Sequence, residues 1–165
     1  MSGTTHKDRK YLAELEQTAH DILHAEKMLL TREHIQHGSI SVYEHVIAVT
    51  VMCLKLADRL HARIDRRSLI RGALLHDYFL YDWHDGPRRH PPHGFTHAGT
   101  ALRNAVKDYK LNRIEKDMIY CHMFPLNLTR VPGYCESLLL CIADKIVGTK
   151  ETVGGFIEKA KKSNK

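Results

Sequence analysis

The chain has 165 residues, a length that suits one domain with a sizeable core. Apolar residues make up 43% and charged residues 27%, which excludes wholesale disorder, and no apolar run approaches the roughly 18 residues of a membrane helix. Lys and Arg outnumber Asp and Glu by 25 to 19, a net charge of +6 that favours anionic partners and leaves the fold open.

The segments read as one helix after another. Asp8 to Leu30 is predicted as a long amphipathic helix, with Leu12, Leu15, Ala19, Ile22 and Leu23 at helical spacing. The polar stretch Thr31 to Ile40, which contains Gly38, interrupts it. Ser41-Val-Tyr-Glu44 has the form of a capping box and opens a second helix to about Leu60. A third begins near Asp65 and runs through His76 and Asp77.

From Tyr81 to Thr96 two glycines and three prolines forbid regular structure, and a loop of that length in a compact domain is usually functional or disordered. A fourth helix, capped by Thr96, reaches about Tyr109. Asn112-Arg-Ile-Glu115 is a second capping box, opening a fifth helix that Pro125 ends. A sixth carries Leu138, Leu139, Leu140, Ile142 and Ala143 to about Gly148, followed by a short final helix and a lysine-rich tail. No segment repeats and none alternates like a strand. The expectation is an all-α helical bundle, a single domain over residues 1–165. The polar Met1 to Lys10 has no signal-peptide core, so a cytoplasmic location is expected.

Thirteen histidines are unusual and point to metal or proton chemistry. The four cysteines, Cys53, Cys121, Cys135 and Cys141, form no C-x-x-C pair and are expected as reduced, buried thiols. On the second helix Val42, His45, Val49, Met52 and Leu56 share one face, so His45 points at the core. By itself, that is more often a hydrogen-bonded core histidine. His76-Asp77 ends a strongly apolar run, where a buried carboxylate is costly unless paired. Asp144 ends Leu138-Leu-Leu-Cys-Ile-Ala and needs a base or a metal to neutralise it. His122 shares a face with Ile114 and Met118, and His97 sits near the start of the fourth helix. Imidazole with carboxylate suits Fe, Mn or Zn, and one metal site would explain all of these core positions together.

These residues, in this order, resemble the HD superfamily of metal-dependent phosphohydrolases, from Ser41 to Glu151. The likeness lies in His45, the pair His76-Asp77 within Gly-Ala-Leu-Leu-His-Asp, and Asp144 within Cys-Ile-Ala-Asp-Lys-Ile. Thr96-His97-Ala-Gly99 and Ile119-Tyr-Cys-His122 are similar to segments of the dinuclear subset, the HD-type dinucleoside tetraphosphate hydrolases. The resemblance implies an all-α bundle with an HD-like core over about 41–151. It implies that His45, His76, Asp77 and Asp144 hold a first divalent metal, while Asp77 bridges to a second held by His97 and His122. The ions would be Fe, Mn or Zn, with Mg a further option. Metal-activated water would then cleave a phosphate ester or anhydride, with Asp77, His97 and His122 as the catalytic group. Many members follow the His-Asp pair with a short Gly-Lys element, whereas Tyr78 to Trp83 here is bulky and aromatic.

Arg88 and Arg89 in the long loop, and Lys145 beside Asp144, are candidates to bind substrate phosphate, and a solvated basic loop is the alternative for the first two. Tyr81 and Trp83 could stack on a base or simply pin the loop down. His84, Asp85 and His93 could be alternative ligands, though a loop position favours surface residues. The expected partner is a small phosphorylated, nucleotide-like substrate acted on by a phosphomonoesterase or phosphodiesterase. Two other classes stay open: an HD-type di-iron oxygenase using the same ligands, and a non-catalytic metal-containing binding protein. Nucleic acid is disfavoured, because no basic stripe with interleaved aromatics is present.

Overall fold

A computed structural model describes residues 6–37, 39–80 and 93–163. Where one long helix is expected near the start, there are two: α1 (His6–Leu23) and α2 (Glu26–Leu30). Ala19 leaves helical geometry (φ −138°, ψ 35°), and Ala25 is extended. Tertiary packing overrides the local pattern here: the two breaks let Leu15, Ile22 and Met28 all reach the core, while Leu12 is left exposed.

The polar stretch after α2 is a small antiparallel ribbon rather than an irregular loop. Its strands are β1 (Ile35–His37) and β2 (Ile40–Ser41), paired Ile35 to Ser41 and His37 to Ile40 with an irregularity between. It leads directly into α3 (Val42–Arg59). The capping box is formed as the sequence predicts: the Ser41 hydroxyl accepts from Glu44 N, and Glu44 Oε2 accepts from Ser41 N at 2.9 Å. α4 (Arg66–Leu75) is capped by Asp65, and α6 (Arg113–Cys121) by the predicted Asn112–Glu115 box. Between these two lies α5 (His93–Asp108), which starts three residues before Thr96.

The last helix is the largest departure. α7 (Cys135–Ser163) is one 29-residue helix that runs through Gly148, Gly154 and Gly155, where a sixth helix and a separate short seventh are expected. Glycine costs a helix about 1 kcal/mol relative to alanine, which weakens a turn without ending it. α7 packs against α3 and α6, and its buried side chains lie between Glu136 and Val147 among the described residues.

Helix α3 packs between α4 and α7, α4 also meets α6, and α5 lies against α6. The core between them is built from Leu54, Ile70, Leu74, Met118, Ile119, Leu140 and Ala143, all fully buried. Gly72 lets α4 and α6 approach, since a Cβ there would sit 2.5 Å from Met118 Sδ. Within the same seam Arg71 Nε donates to Glu115 Oε1 at 3.1 Å, with both side chains buried. Cys53, Cys121 and Cys141 are buried thiols, but Cys135 is exposed at the first turn of α7, a correction to the expectation for all four. No described helix is long and apolar enough to cross a membrane.

Candidate metal centre

Five helices, α3 to α7, deliver side chains to one place. His45 projects from the first turn of α3 and is fully buried. α4 stops at Leu75, so His76 is its C-cap and Asp77 lies beyond it, where a helix running through both is expected. α6 likewise stops at Cys121 and has His122 as its C-cap, short of the expected end at Pro125. The two caps share one construction. His76 Nδ1 donates to Ala73 O at 2.7 Å, and His122 Nδ1 donates to Ile119 O at 2.8 Å. Each ring thereby satisfies a carbonyl left over at a helix end and presents Nε2 inward. Both helices also aim the negative ends of their dipoles at the site, a field that favours a cation.

Asp77 lies at the middle. Its Oδ2 is 3.4 Å from His76 Nε2 and 3.8 Å from His45 Nε2. Its Oδ1 is 3.3 Å from His97 Nε2 and 3.5 Å from His122 Nε2. Asp144 Oδ1 accepts from His45 Nε2 at 3.2 Å and lies 3.7 Å from His76 Nε2. The ligand-type atoms therefore form two groups, His45 with His76 and Asp144, and Asp77 with His97 and His122. Within each group the atoms lie within 4.8 Å of one another. Atoms around one ion at bond lengths of about 2.0–2.2 Å are necessarily that close.

Charge is concentrated here. Burial opposes a positive His45, but its bonds to Asp144 and Glu151 prevail and raise its pKa to about 10. Burial also opposes charge on His76, and the carboxylates of Asp77 and Asp144 outweigh it, so its pKa is raised. Burial alone would raise Asp77 and Asp144; the surrounding imidazoles instead hold both well below the usual carboxylate range. His122 goes the other way: burial, then the neighbouring His97 and His76, push it down to about 3. It is a neutral imidazole, and its Nε2 lies 2.8 Å from His97 Nε2 in a hydrogen bond. Two buried atoms, His76 Nε2 and Asp77 Oδ1, have no hydrogen-bond partner among the described residues. Orphaned donor atoms of this type, in a ring of imidazole and carboxylate, fit a divalent cation.

Two further residues join the site, Gln36 with no sequence signal and Glu151 with only its spacing from Asp144. Gln36 on β1 donates through Nε2 to Asp77 Oδ2 at 2.7 Å, and Glu151 Oε2 accepts from His45 Nδ1 at 2.8 Å. Glu151 follows Asp144 by seven residues on α7, a two-turn repeat that puts both on one face. Gln36 stands in a polar stretch that no periodicity distinguishes.

Lys145 borders the cleft outside the cluster, with its Nζ donating to His122 O at 3.2 Å. Arg88 and Arg89, together with Tyr81, Trp83, His84, Asp85 and His90, lie outside the described residues. His93 begins α5.

The family model described as HD domain matches residues 42–148, more than half of the chain. No curated protein and no solved structure matches it significantly.

Proposed function

The chain belongs to the HD-domain family, and from the geometry above we propose that it is a phosphohydrolase with a dinuclear centre. His45, His76 and Asp144 would hold one divalent ion, and His97 and His122 a second. Asp77 would be shared between them. A divalent ion held there supplies a water whose pKa falls from 15.7 to about 7 and positive charge for the phosphoryl oxygens. The observation that carries this reading is the Asp77 carboxylate, which turns one oxygen to each group of imidazoles. A single shared carboxylate offsets the repulsion between two cations.

The chain's own residues have distinct tasks in this reading. Gln36 fixes the rotation of the Asp77 carboxylate, and Glu151 fixes the ring of His45. Lys145 faces the cleft beside the cluster and can neutralise a phosphate oxygen entering there. Asp77, His97 and His122 are the catalytic residues, because they would touch the reacting group. The substrate class is a phosphate ester or anhydride, and a nucleotide-like molecule is the expectation from the family resemblance.

The test combines metal analysis of the purified full chain with a screen for phosphate release from nucleotides and simple esters. Two ions per chain and metal-dependent release are expected. A metal-free chain without affinity for divalent ions would overturn the reading. So would iron-dependent oxygen uptake without phosphate release, the signature of an oxygenase on the same ligands.

A further inference from the structure

The cleft that opens from Asp77, His97 and His122 has a volume of about 790 Å³ and changes character along its length. Its inner end is polar, and Lys145 is the additional cation there among the described residues. Outward from it, Thr149, Thr152, Val153 and Phe156 also line the cleft, at the three- and four-residue spacing of one face of α7. Lys145 to Phe156 spans about 16 Å of helix at ~1.5 Å per residue. Met123 and Leu126, just after α6, also line this space.

Among the described residues, hydrogen-bonding capacity along this track is thin. Thr152 Oγ1 donates to Gly148 O at 2.8 Å, so its hydroxyl is already engaged by the helix backbone. The large side chains are apolar and open to solvent: Leu126 is 53% exposed, Val153 51% and Phe156 69%. Such a surface gains by being covered with apolar material. A sugar laid along it would give up hydrogen bonds to water with few replacements.

We propose that the substrate is an amphiphilic phosphate ester, with its phosphoryl group at the Asp77 end and an elongated alkyl or aryl tail along α7. The proposal rests on the phosphohydrolase reading and names its substrate class. In the reaction a bond forms between phosphorus and the oxygen of water, and the bond from phosphorus to the ester oxygen breaks. The proton released from water goes to the departing alcohol.

The test uses the full chain loaded with Mn²⁺, with butyl, octyl and dodecyl phosphate compared with nucleoside 5′-monophosphates. From butyl to octyl phosphate KM is expected to fall by about tenfold or more, as buried methylene groups accumulate. The Kd of octylphosphonate, which is not hydrolysed, is expected to be lower than that of butylphosphonate by a similar factor. Val153→Ser and Phe156→Ser, both at exposed positions, should flatten these ratios. Equal KM values along the alkyl series, or a preference for nucleotides, would overturn the apolar tail and leave the hydrolase reading standing. Absence of hydrolysis with every ester would overturn the hydrolase reading itself, and this proposal with it.

Discussion

Glu151 and His45 are joined across 106 positions of sequence by one hydrogen bond of 2.8 Å from His45 Nδ1 to Glu151 Oε2. The bond fixes which ring nitrogen carries the proton and turns Nε2 toward Asp144 and Asp77. Partners of this kind orient a ligating imidazole and raise its basicity, and losing one typically costs 10–100-fold in metal affinity. Glu151→Ala is therefore expected to weaken the first ion by about that factor, with Glu151→Gln intermediate. Competition against a chelator of known affinity measures it.

Proton release should accompany metal uptake. In the metal-free chain His45 has its pKa raised to about 10, so near neutrality its Nε2 holds a proton that a cation must displace. His122, pushed down to about 3, contributes no proton. Affinity should rise with pH up to about 10, and calorimetry in two buffers of different ionisation enthalpy should show the released proton. The same shift bears on the metal-free fold. His45 is raised above its unfolded pKa of about 6.5, so its contribution is complete below that pH and is lost between there and about 10.

His122→Ala tests the second ion. If His97 and His122 complete a dinuclear site, the substitution lowers occupancy to about one ion per chain and cuts hydrolysis severely. Unchanged stoichiometry and rate would instead show a mononuclear centre. Removing this imbalance-free, neutral ring takes no charge from the core, so folding should be affected less than by Asp77→Ala.

The buried pair between α4 and α6 is a stability test apart from the chemistry. Arg71→Met leaves Glu115 with its backbone partner Asn112 N at 2.8 Å but without its buried cation. Breaking a buried pair on one side costs about 3–5 kcal/mol. Chemical denaturation should show a loss near the lower end, since Asn112 still satisfies one carboxylate oxygen.

Much of the fold is legible in local pattern. The capping boxes at Ser41 and Asn112 set the starts of α3 and α6 because their hydrogen bonds join residues only three apart. The core-facing positions of His45 and His122 follow from helical periodicity in the same way, that of His76 from the apolar run it ends, and all three are buried. Local pattern failed where distant packing decides. The breaks in α1 and after Leu23 leave Met28 in the buried core, and α7 runs on through its glycines while it packs against α3 and α6.

The cluster divides along the same line. Residue types and helical faces, which the sequence determines alone, mark a handful of core positions carrying groups that burial penalises. Their meeting point depends on long-range geometry: where α4 and α6 stop, which carbonyl each C-cap ring satisfies, and how the Asp77 carboxylate is rotated. Gln36 and Glu151 enter only at that level. Their partners are 41 and 106 positions away, and a hydrogen bond over such separations leaves no periodic trace in the sequence. A side chain's face is set by the backbone dihedrals around it, whereas the use of each ring nitrogen is set by whatever the completed fold puts beside it.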